Sequence, residues 1–155
     1  MSYEDPRTIQ SILHRAKTIA IVGLSPNELR ASHFVGYYLR RHGYTVIPVN
    51  PREELILGAR SYPSLAEVPE HIDVVDVFRA PDAVPAIAEE AVAAGAGALW
   101  LQYGVISADG AETAARGGLD VVMDRCMKVE HARYLGRMHW LGFNTGEITS
   151  SRTHG

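Results

Sequence analysis

The sequence contains a single cysteine, Cys126, so no disulfide can form within the chain, and it has only two lysines beside thirteen arginines. No uninterrupted apolar run approaches the roughly 20 residues that a membrane-spanning helix needs. No basic and then apolar leader opens the chain, so no secretory signal is predicted. The net charge of −3 argues against a general nucleic-acid binder. Together these absences predict a cytoplasmic protein without a membrane segment.

Strands and helices are predicted to alternate along the 155 residues, which suit one domain. Runs rich in Val, Ile and Leu predict five buried strands, at 17–23, 44–50, 73–79, 98–102 and 119–123. Near-continuous apolar strands are typical of a parallel sheet covered on both faces. We therefore predict an α/β fold, a Rossmann-like doubly wound parallel five-stranded sheet with strand order 3-2-1-4-5. This domain is expected to span residues 1–136, and residues 137–155 are expected to form a polar C-terminal tail.

The loop after the first strand, residues 23–32, lies where such sheets bind ligands, at the carboxyl ends of the strands. It lacks the Gly-x-Gly-x-x-Gly of dinucleotide sites and the lysine-containing phosphate loop of nucleotide hydrolases. It does offer hydroxyl and amide side chains at a helix start, together with Arg30, and this set suits a phosphate. Ser32 is predicted to cap the following helix. An ordinary solvated turn is the alternative, but the length of the loop favours a phosphate site.

The loop after the second strand reads Asn50-Pro51-Arg52. A NAD site needs Asp or Glu here to bind the ribose hydroxyls. Arg52 instead suits a ribose that carries a phosphate, as in NADP or coenzyme A (CoA). A hydride-transfer enzyme also needs a second half to seat the nicotinamide, and five strands with a short tail leave little room for one. The length of the chain therefore favours CoA, while a stiff turn remains the alternative interpretation of this loop.

The last predicted loop, residues 124–131, carries several reactive side chains. Arg125 and Lys128 flank Cys126, and nearby cations favour a thiolate. A small buried residue at a strand end is the competing interpretation of this cysteine. Glu130 and His131 are interpreted as polar contacts on a helix surface, because their spacing from the cysteine matches no zinc motif. No metal site is predicted.

Six segments follow one another along the chain, namely TIAIVGLSPN, GYTVIPVNP, SYPSL, IDVVDVF, LWLQYG and MDRCMKVEH. In this order they resemble the small single-domain CoA-binding proteins of bacteria and archaea, which are similar to the N-terminal CoA-binding domain of the succinyl-CoA synthetase alpha subunit. The resemblance covers residues 18–135. It implies a Rossmann-type domain that binds CoA or an acyl-CoA in a groove at the carboxyl edge of the sheet.

The same resemblance implies a set of binding residues along this edge. They are Gly23, Ser25, Pro26, Asn27 and Arg30 for the phosphates, Asn50, Pro51 and Arg52 for the adenosine end, Phe78 and Arg79 for the groove, and Gln102 and Tyr103 for the pantetheine side. Ser32, Cys126 and Lys128 join the candidate set on their own chemistry. The synthetase's phosphorylated histidine lies in a second domain that has no counterpart here, so no catalytic residue is predicted.

We therefore expect a ligand-binding domain without a complete catalytic constellation, with CoA or an acyl-CoA as its ligand and no nucleic-acid or membrane partner. The protein partner stays open. An NADP-binding oxidoreductase fragment is the alternative function. A third possibility is an interaction module whose scaffold presents the tail that contains Trp140.

Overall fold

The computed structural model describes residues 3–136, and the predicted tail at 137–155 lies outside the described residues. The helices are α1 (Pro6–Arg15), α2 (Ala31–Arg41), α3 (Val84–Ala93), α4 (Ala108–Arg116) and α5 (Met127–His131). The strands are β1 (Thr18–Val22), β2 (Thr45–Val49), β3 (Leu55–Ile56), β4 (Ala59–Arg60), β5 (Val74–Val77), β6 (Ala98–Leu101) and β7 (Asp120–Met123). None of the helices in this part of the chain is long and apolar enough to cross a membrane.

Five strands form one parallel sheet in the order β2-β1-β5-β6-β7, which confirms the predicted α/β fold. The predicted strand order 3-2-1-4-5 is wrong, because the five strands, counted along the chain, lie in the order 2-1-3-4-5. After β2 the chain turns back across β1 and adds β5 on the far side of it. This second arrangement is also doubly wound, with the ligand crevice between the first and third strands of the count.

The outer edge of β2 shows why no strand lies beyond it. Pro48 of β2 has no N–H with which to pair a further strand. Its carbonyl oxygen accepts a hydrogen bond of 3.0 Å from the N–H of Tyr62, whose own carbonyl accepts 2.9 Å from the N–H of Asn50. The loop after β2 thus closes this edge itself. At the opposite edge of the sheet, the N–H of Met123 in β7 donates to the carbonyl of Tyr3 at 3.0 Å.

Two apolar layers cover the two faces of the sheet. On one face α1, α2 and α5 bury Ile12, Leu39 and Met127 against the sheet. On the other face α3 and α4 pack on the sheet with Leu65 and Ile72 from the segment that joins β2 to β5. From β1 to β2 the chain moves in one direction across the sheet, and from β2 to β5 it moves in the other. Because crossovers between parallel strands are right-handed, connections that run in opposite directions across the sheet lie on opposite faces. The α2 crossover and this segment therefore lie on different sides.

One acid interrupts the apolar run of β5. Asp76 is fully buried between Ile21 of β1 and Trp100 of β6, and neither of its carboxyl oxygens has a hydrogen-bond partner among the described residues. Burial raises the pKa of Asp76 well above its ordinary value, because a carboxylate loses its hydration there. The structure therefore favours the protonated acid at this position.

This raised pKa predicts a pH-dependent stability. Asp76 contributes stability that is present below its unfolded pKa of about 3.9 and is lost as the pH rises toward the folded value. Asp76→Asn keeps the shape of the side chain and cannot titrate. We expect the unfolding free energy of the wild type to fall relative to that of Asp76→Asn above about pH 4, by up to about 1.4 kcal/mol per pH unit.

Urea unfolding at a series of pH values measures this difference. Glu89→Gln is the control, since Glu89 is an exposed acid on α3, and its stability should follow that of the wild type. A constant difference between the wild type and Asp76→Asn across the pH range would contradict the prediction.

Candidate functional site

The crevice of the sheet lies between β1 and β5. The two strands are neighbours, but α2 follows β1 onto one face and α3 follows β5 onto the other. Diverging connections open a crevice at the carboxyl ends of the strands, and doubly wound sheets bind ligands there. Five loops border this edge, at residues 23–30, 50–54, 78–83, 102–107 and 124–126.

Gly23 brings the loops after β1 and β5 into contact. Its φ is +90°, a conformation that glycine adopts without strain. A Cβ at this position would lie 2.8 Å from the carbonyl oxygen of Phe78 and 3.1 Å from Cδ of Arg79. The close approach of the two loops therefore requires glycine.

The polar side chains of the first loop bind its own backbone. The N–H of Ser25 donates to Oγ of Ser32 at 2.9 Å, and the N–H of Asn27 donates to Oγ of Ser25 at 3.0 Å. Oδ1 of Asn27 accepts from the N–H of Leu29 at 2.9 Å. These three predicted phosphate ligands thus hold the loop in shape. The exposed Pro26 lies in the same loop.

The prediction that Ser32 caps α2 is wrong. The helix begins at Ala31 with Arg30 at the capping position, and the hydroxyl of Ser32 is held by the first loop instead. No side chain caps the first turn of α2. Its open N–H groups and the positive end of the helix dipole suit an anion.

Asn50 ties the second loop to the first. Its Nδ2 donates to the carbonyl of Leu24 at 3.0 Å, and its Oδ1 accepts from the N–H of Arg52 at 2.9 Å. Pro51 and Arg52 are exposed beyond it. The position that directly follows β2 thus holds an amide engaged with protein, and no carboxylate.

Three exposed arginines follow three neighbouring strands at this edge. Arg30 follows β1, Arg52 follows β2 and Arg79 follows β5. Within residues 3–136 their guanidinium groups make no hydrogen bond, ion pair or ring contact. Other arginines of the described chain do form ion pairs, namely Arg15, Arg116, Arg125 and Arg133. The crevice is therefore bordered by three positive charges that have no partner in this part of the protein.

The predicted groove and pantetheine residues differ in their surroundings. Phe78 is half-buried and packs against the core. Gln102 is buried, and its Oε1 accepts from the N–H of Met127 at 3.1 Å, so this side chain fixes the start of α5. Tyr103 next to it is 58% exposed. Tyr103 is therefore the member of this pair that a ligand can reach directly.

Cys126 is a half-buried free cysteine directly before α5. The guanidinium of Arg125 pairs with the carboxylate of Glu4 and donates to the carbonyl of Asp124 at 2.7 Å. Nζ of Lys128 lies 5.1 Å from the centre of the Tyr38 ring. Both cations that flank the thiol in the sequence therefore have protein partners of their own.

The interpretation of Glu130 and His131 as surface contacts is wrong. They are 1% and 6% exposed, and the ring of His131 packs against the rings of Tyr38 on α2 and of His42 at the end of that helix. Nδ1 of His131 lies 2.9 Å from the hydroxyl of Tyr38, and a carboxyl oxygen of Glu130 lies 3.3 Å from Arg133. No group of three or more His, Cys, Asp or Glu within residues 3–136 is placed to hold a metal ion.

Sequence reasoning also missed Asp124, which joins the fourth and fifth loops. Its φ is +63°, and its Oδ1 accepts from the N–H of Gly104 at 2.8 Å. An aspartate directly after a strand is the one sequence signal of such a contact, because its short side chain tolerates this backbone and accepts from nearby N–H groups.

The parallel doubly wound sheet, with an uncapped helix and three arginines without partners in residues 3–136 at its carboxyl edge, is typical of a Rossmann-like α/β domain. Residues 17–132 match the model of a family described as a CoA binding domain, and the chain belongs to that family.

Three relatives are similar to this chain in sequence or structure. The uncharacterized protein YneT of Bacillus subtilis (strain 168) is 40% identical over 124 residues, which are 80% of this chain and 92% of that protein. A hypothetical protein from Pyrococcus horikoshii OT3 has a solved structure that is similar, with a TM-score of 0.83 and 42% identity over 85% of this chain and 93% of that one. An acetate–CoA ligase (ADP-forming) of Archaeoglobus fulgidus is 35% identical over 74 residues, which are 48% of this chain and 11% of the ligase.

The contact at Gly23 predicts a large effect of one methyl group. Gly23→Ala forces both an unfavourable φ and a clash with backbone, whereas Gly118→Ala forces an almost equal φ of +91° with no atom within 4 Å of the new Cβ. We expect Gly118→Ala to lower the unfolding free energy by about 1–2 kcal/mol, and Gly23→Ala to lower it by more. Urea unfolding of both variants measures the difference, and equal losses would contradict the argument.

Proposed function

We propose that this protein binds CoA or an acyl-CoA at the carboxyl edge of its sheet. The observation that carries the proposal is the set of three guanidinium groups without a partner in residues 3–136, on Arg30 at the uncapped start of α2 and on Arg52 and Arg79 in the neighbouring loops. Membership of the CoA binding domain family supports the choice of ligand. The relative from Archaeoglobus fulgidus, named as an acetate–CoA ligase, supports it as well.

The charges of CoA suit this edge. CoA carries a diphosphate and a further phosphate on its ribose, and guanidinium groups bind phosphate through paired hydrogen bonds. In the proposed complex Arg30 and the first turn of α2 hold the diphosphate, and Arg52 holds the ribose phosphate. Arg79 and Phe78 border the adjoining groove, in which the pantetheine arm runs toward Tyr103.

The second loop favours a phosphorylated ribose over that of NAD. NAD sites bind both ribose hydroxyls with a carboxylate that follows the second strand. Here Asn50 stands at that place with its amide bound to Leu24 and Arg52, and the next charged side chain is Arg52 itself. NADP shares the extra phosphate with CoA, so it is the competitor that a binding experiment must include.

The proposal assigns binding and no reaction. Bound CoA supplies a thiol that carries acyl groups as thioesters. Among the described residues, Arg30, Arg52 and Arg79 reach the edge without a protein partner, and guanidinium groups bind and orient anions and transfer no proton at neutral pH.

The three guanidinium groups predict three losses of affinity. Arg30→Ala, Arg52→Ala and Arg79→Ala should each weaken CoA binding by about 1–3 kcal/mol, the range for a charge-assisted hydrogen bond. The stability of the ligand-free variants should barely change, since these exposed side chains have no partner in residues 3–136.

Titration calorimetry on each variant measures the affinity. Arg116→Ala is the control, because it also removes one positive charge. Arg116 ends α4 just before the start of β7, so it lies at the amino ends of the strands, away from the carboxyl edge. The affinity of this variant for CoA should equal that of the wild type. Unchanged affinity in all three edge variants would place the phosphates elsewhere.

A panel of ligands tests the chemistry of the site separately. CoA should raise the melting temperature more than NAD does, because a ligand that binds only the folded state stabilises it according to its affinity. Dephospho-CoA should bind more weakly than CoA to the wild type, and equally with CoA to Arg52→Ala. A larger shift with NADP than with CoA would favour the oxidoreductase alternative and contradict our proposal.

A further inference from the structure

A groove of about 790 Å³ lies between α2 and the β3–β4 hairpin, and the loop after β1 forms part of its wall. Six large hydrophobic side chains are exposed in residues 3–136, and four of them border this groove. The four are Leu29 at 86% exposure, Leu55 at 64%, Phe34 at 57% and Tyr37 at 47%. A concave, mostly apolar site of this volume is typical of those that bind small molecules.

The hairpin holds the groove in shape without a ligand. Its turn is formed by Leu57 and Gly58, with φ of +55° and +73°. A Cβ on Gly36 would lie 3.2 Å from Cδ1 of Leu57, so the missing side chain of α2 makes room for this leucine. The guanidinium of Arg40 on α2 donates to the carbonyl of Leu57. The groove is therefore preformed, and a preformed site loses little conformational freedom on binding.

The groove lies at one end of the row of loops along the carboxyl edge. These loops follow the strand order β2, β1, β5 and β6. In the proposed complex the pantetheine arm runs from Arg30 toward Tyr103, which follows β6, so the nucleoside extends in the other direction, toward the loop after β2. The groove is built on that side, because Leu29 directly precedes Arg30 and Leu55 follows Arg52 by three residues.

Two polar side chains border the apolar walls. Glu28 is exposed in the loop before α2, and His33 is half-buried in the first turn of that helix. Neither side chain has a hydrogen bond, ion pair or ring contact within residues 3–136. A carboxylate accepts hydrogen bonds and repels phosphate. Glu28 therefore suits a neutral part of the ligand that presents an N–H donor.

We propose that this groove binds the adenine ring of CoA. Of the parts of CoA, only adenine combines a flat apolar body with an amino donor and no charge. The exposed side chains of Leu29, Phe34 and Leu55 cover the faces of the ring, and burial of these surfaces together stabilises the complex. The amino group of the ring donates to the carboxylate of Glu28. The inference rests on the proposed function, which places the phosphates of CoA beside the groove.

A second pocket, of about 570 Å³, shares Leu55 with the groove. Its border carries the charged side chains of Glu53, Glu54 and Arg60. Among the described residues, Leu55 is the one exposed large hydrophobic side chain that this pocket offers. A flat apolar ring is therefore better accommodated in the groove, where four such side chains meet.

Titration calorimetry with two ligands tests the position of the base. Adenosine 3′,5′-bisphosphate keeps the base, the ribose and its phosphate, and it lacks the pantetheine arm. Leu29→Ala and Phe34→Ala should each weaken both CoA and this bisphosphate by at least about fivefold, and by the same factor, because side chains that cover a base contribute this much or more. Circular dichroism and urea unfolding verify that each variant is folded.

An analogue of CoA tests the contact of Glu28. In deamino-CoA hypoxanthine replaces adenine, so a carbonyl oxygen stands in place of the amino group. The wild type should prefer CoA over deamino-CoA by about tenfold, because the carboxylate then faces an acceptor instead of a donor. Glu28→Ala should lose this preference. Glu89→Ala is the matched control, since it also removes one exposed acid but on α3, and it should keep the preference.

The outcomes separate this inference from the proposed function. If CoA binds and the three edge arginines contribute to its affinity, but the groove variants bind both ligands as the wild type does, only the groove assignment is overturned. A loss for CoA without a loss for the bisphosphate would assign the groove to the pantetheine arm and overturn it as well. A wild type that binds neither ligand would overturn the proposed function and this inference together.

Discussion

The pairing of β5 with β1 determines which loops meet at the carboxyl edge of the sheet. Since α2 and α3 leave these adjacent strands toward opposite faces, the crevice opens between Gly23 and Phe78. The loops after β2, β1 and β5 lie side by side, each with one arginine whose guanidinium has no partner within residues 3–136. In the order 3-2-1-4-5 these three loops would also be neighbours, but the loop after β2 would lie between the loops that carry Gly23 and Phe78.

The edge divides its polar residues between two tasks. Ser25, Asn27 and Asn50 bind backbone groups within and between the first two loops. These neutral hydrogen bonds hold the loops in place without a ligand. The guanidinium groups of the three arginines are therefore not needed to stabilise the loops. The guanidinium groups stay available for an anion. Sequence reasoning placed all these residues in the right loops, and the ligand contacts that it assigned to them stay predictions.

The strands and the parallel sheet could be predicted, because runs of Val, Ile and Leu indicate buried strands. The family could be predicted, because six segments in order resemble it. The strand order could not be derived from these runs, although Pro48 was a usable signal, since a proline inside a strand indicates an edge. Burial of Glu130 and Asp76 depends on packing between helix and sheet, which periodicity does not describe. The prediction that Ser32 caps α2 was wrong for a related reason. Its hydroxyl can accept from an N–H of the helix or from an N–H of the first loop, and in the folded loop it accepts from the N–H of Ser25.

The closure of both sheet edges has a consequence for how this protein can aggregate. Pro48 and Tyr62 at β2, and Tyr3 at β7, occupy positions where a strand of another molecule would otherwise add to the sheet. Open strand edges are templates for intermolecular β-pairing, and proteins that lack them resist that route to fibres and precipitates. Such protection is most useful during folding, when a sheet rich in Val and Ile would otherwise pair with strands of neighbouring molecules before the helices cover it.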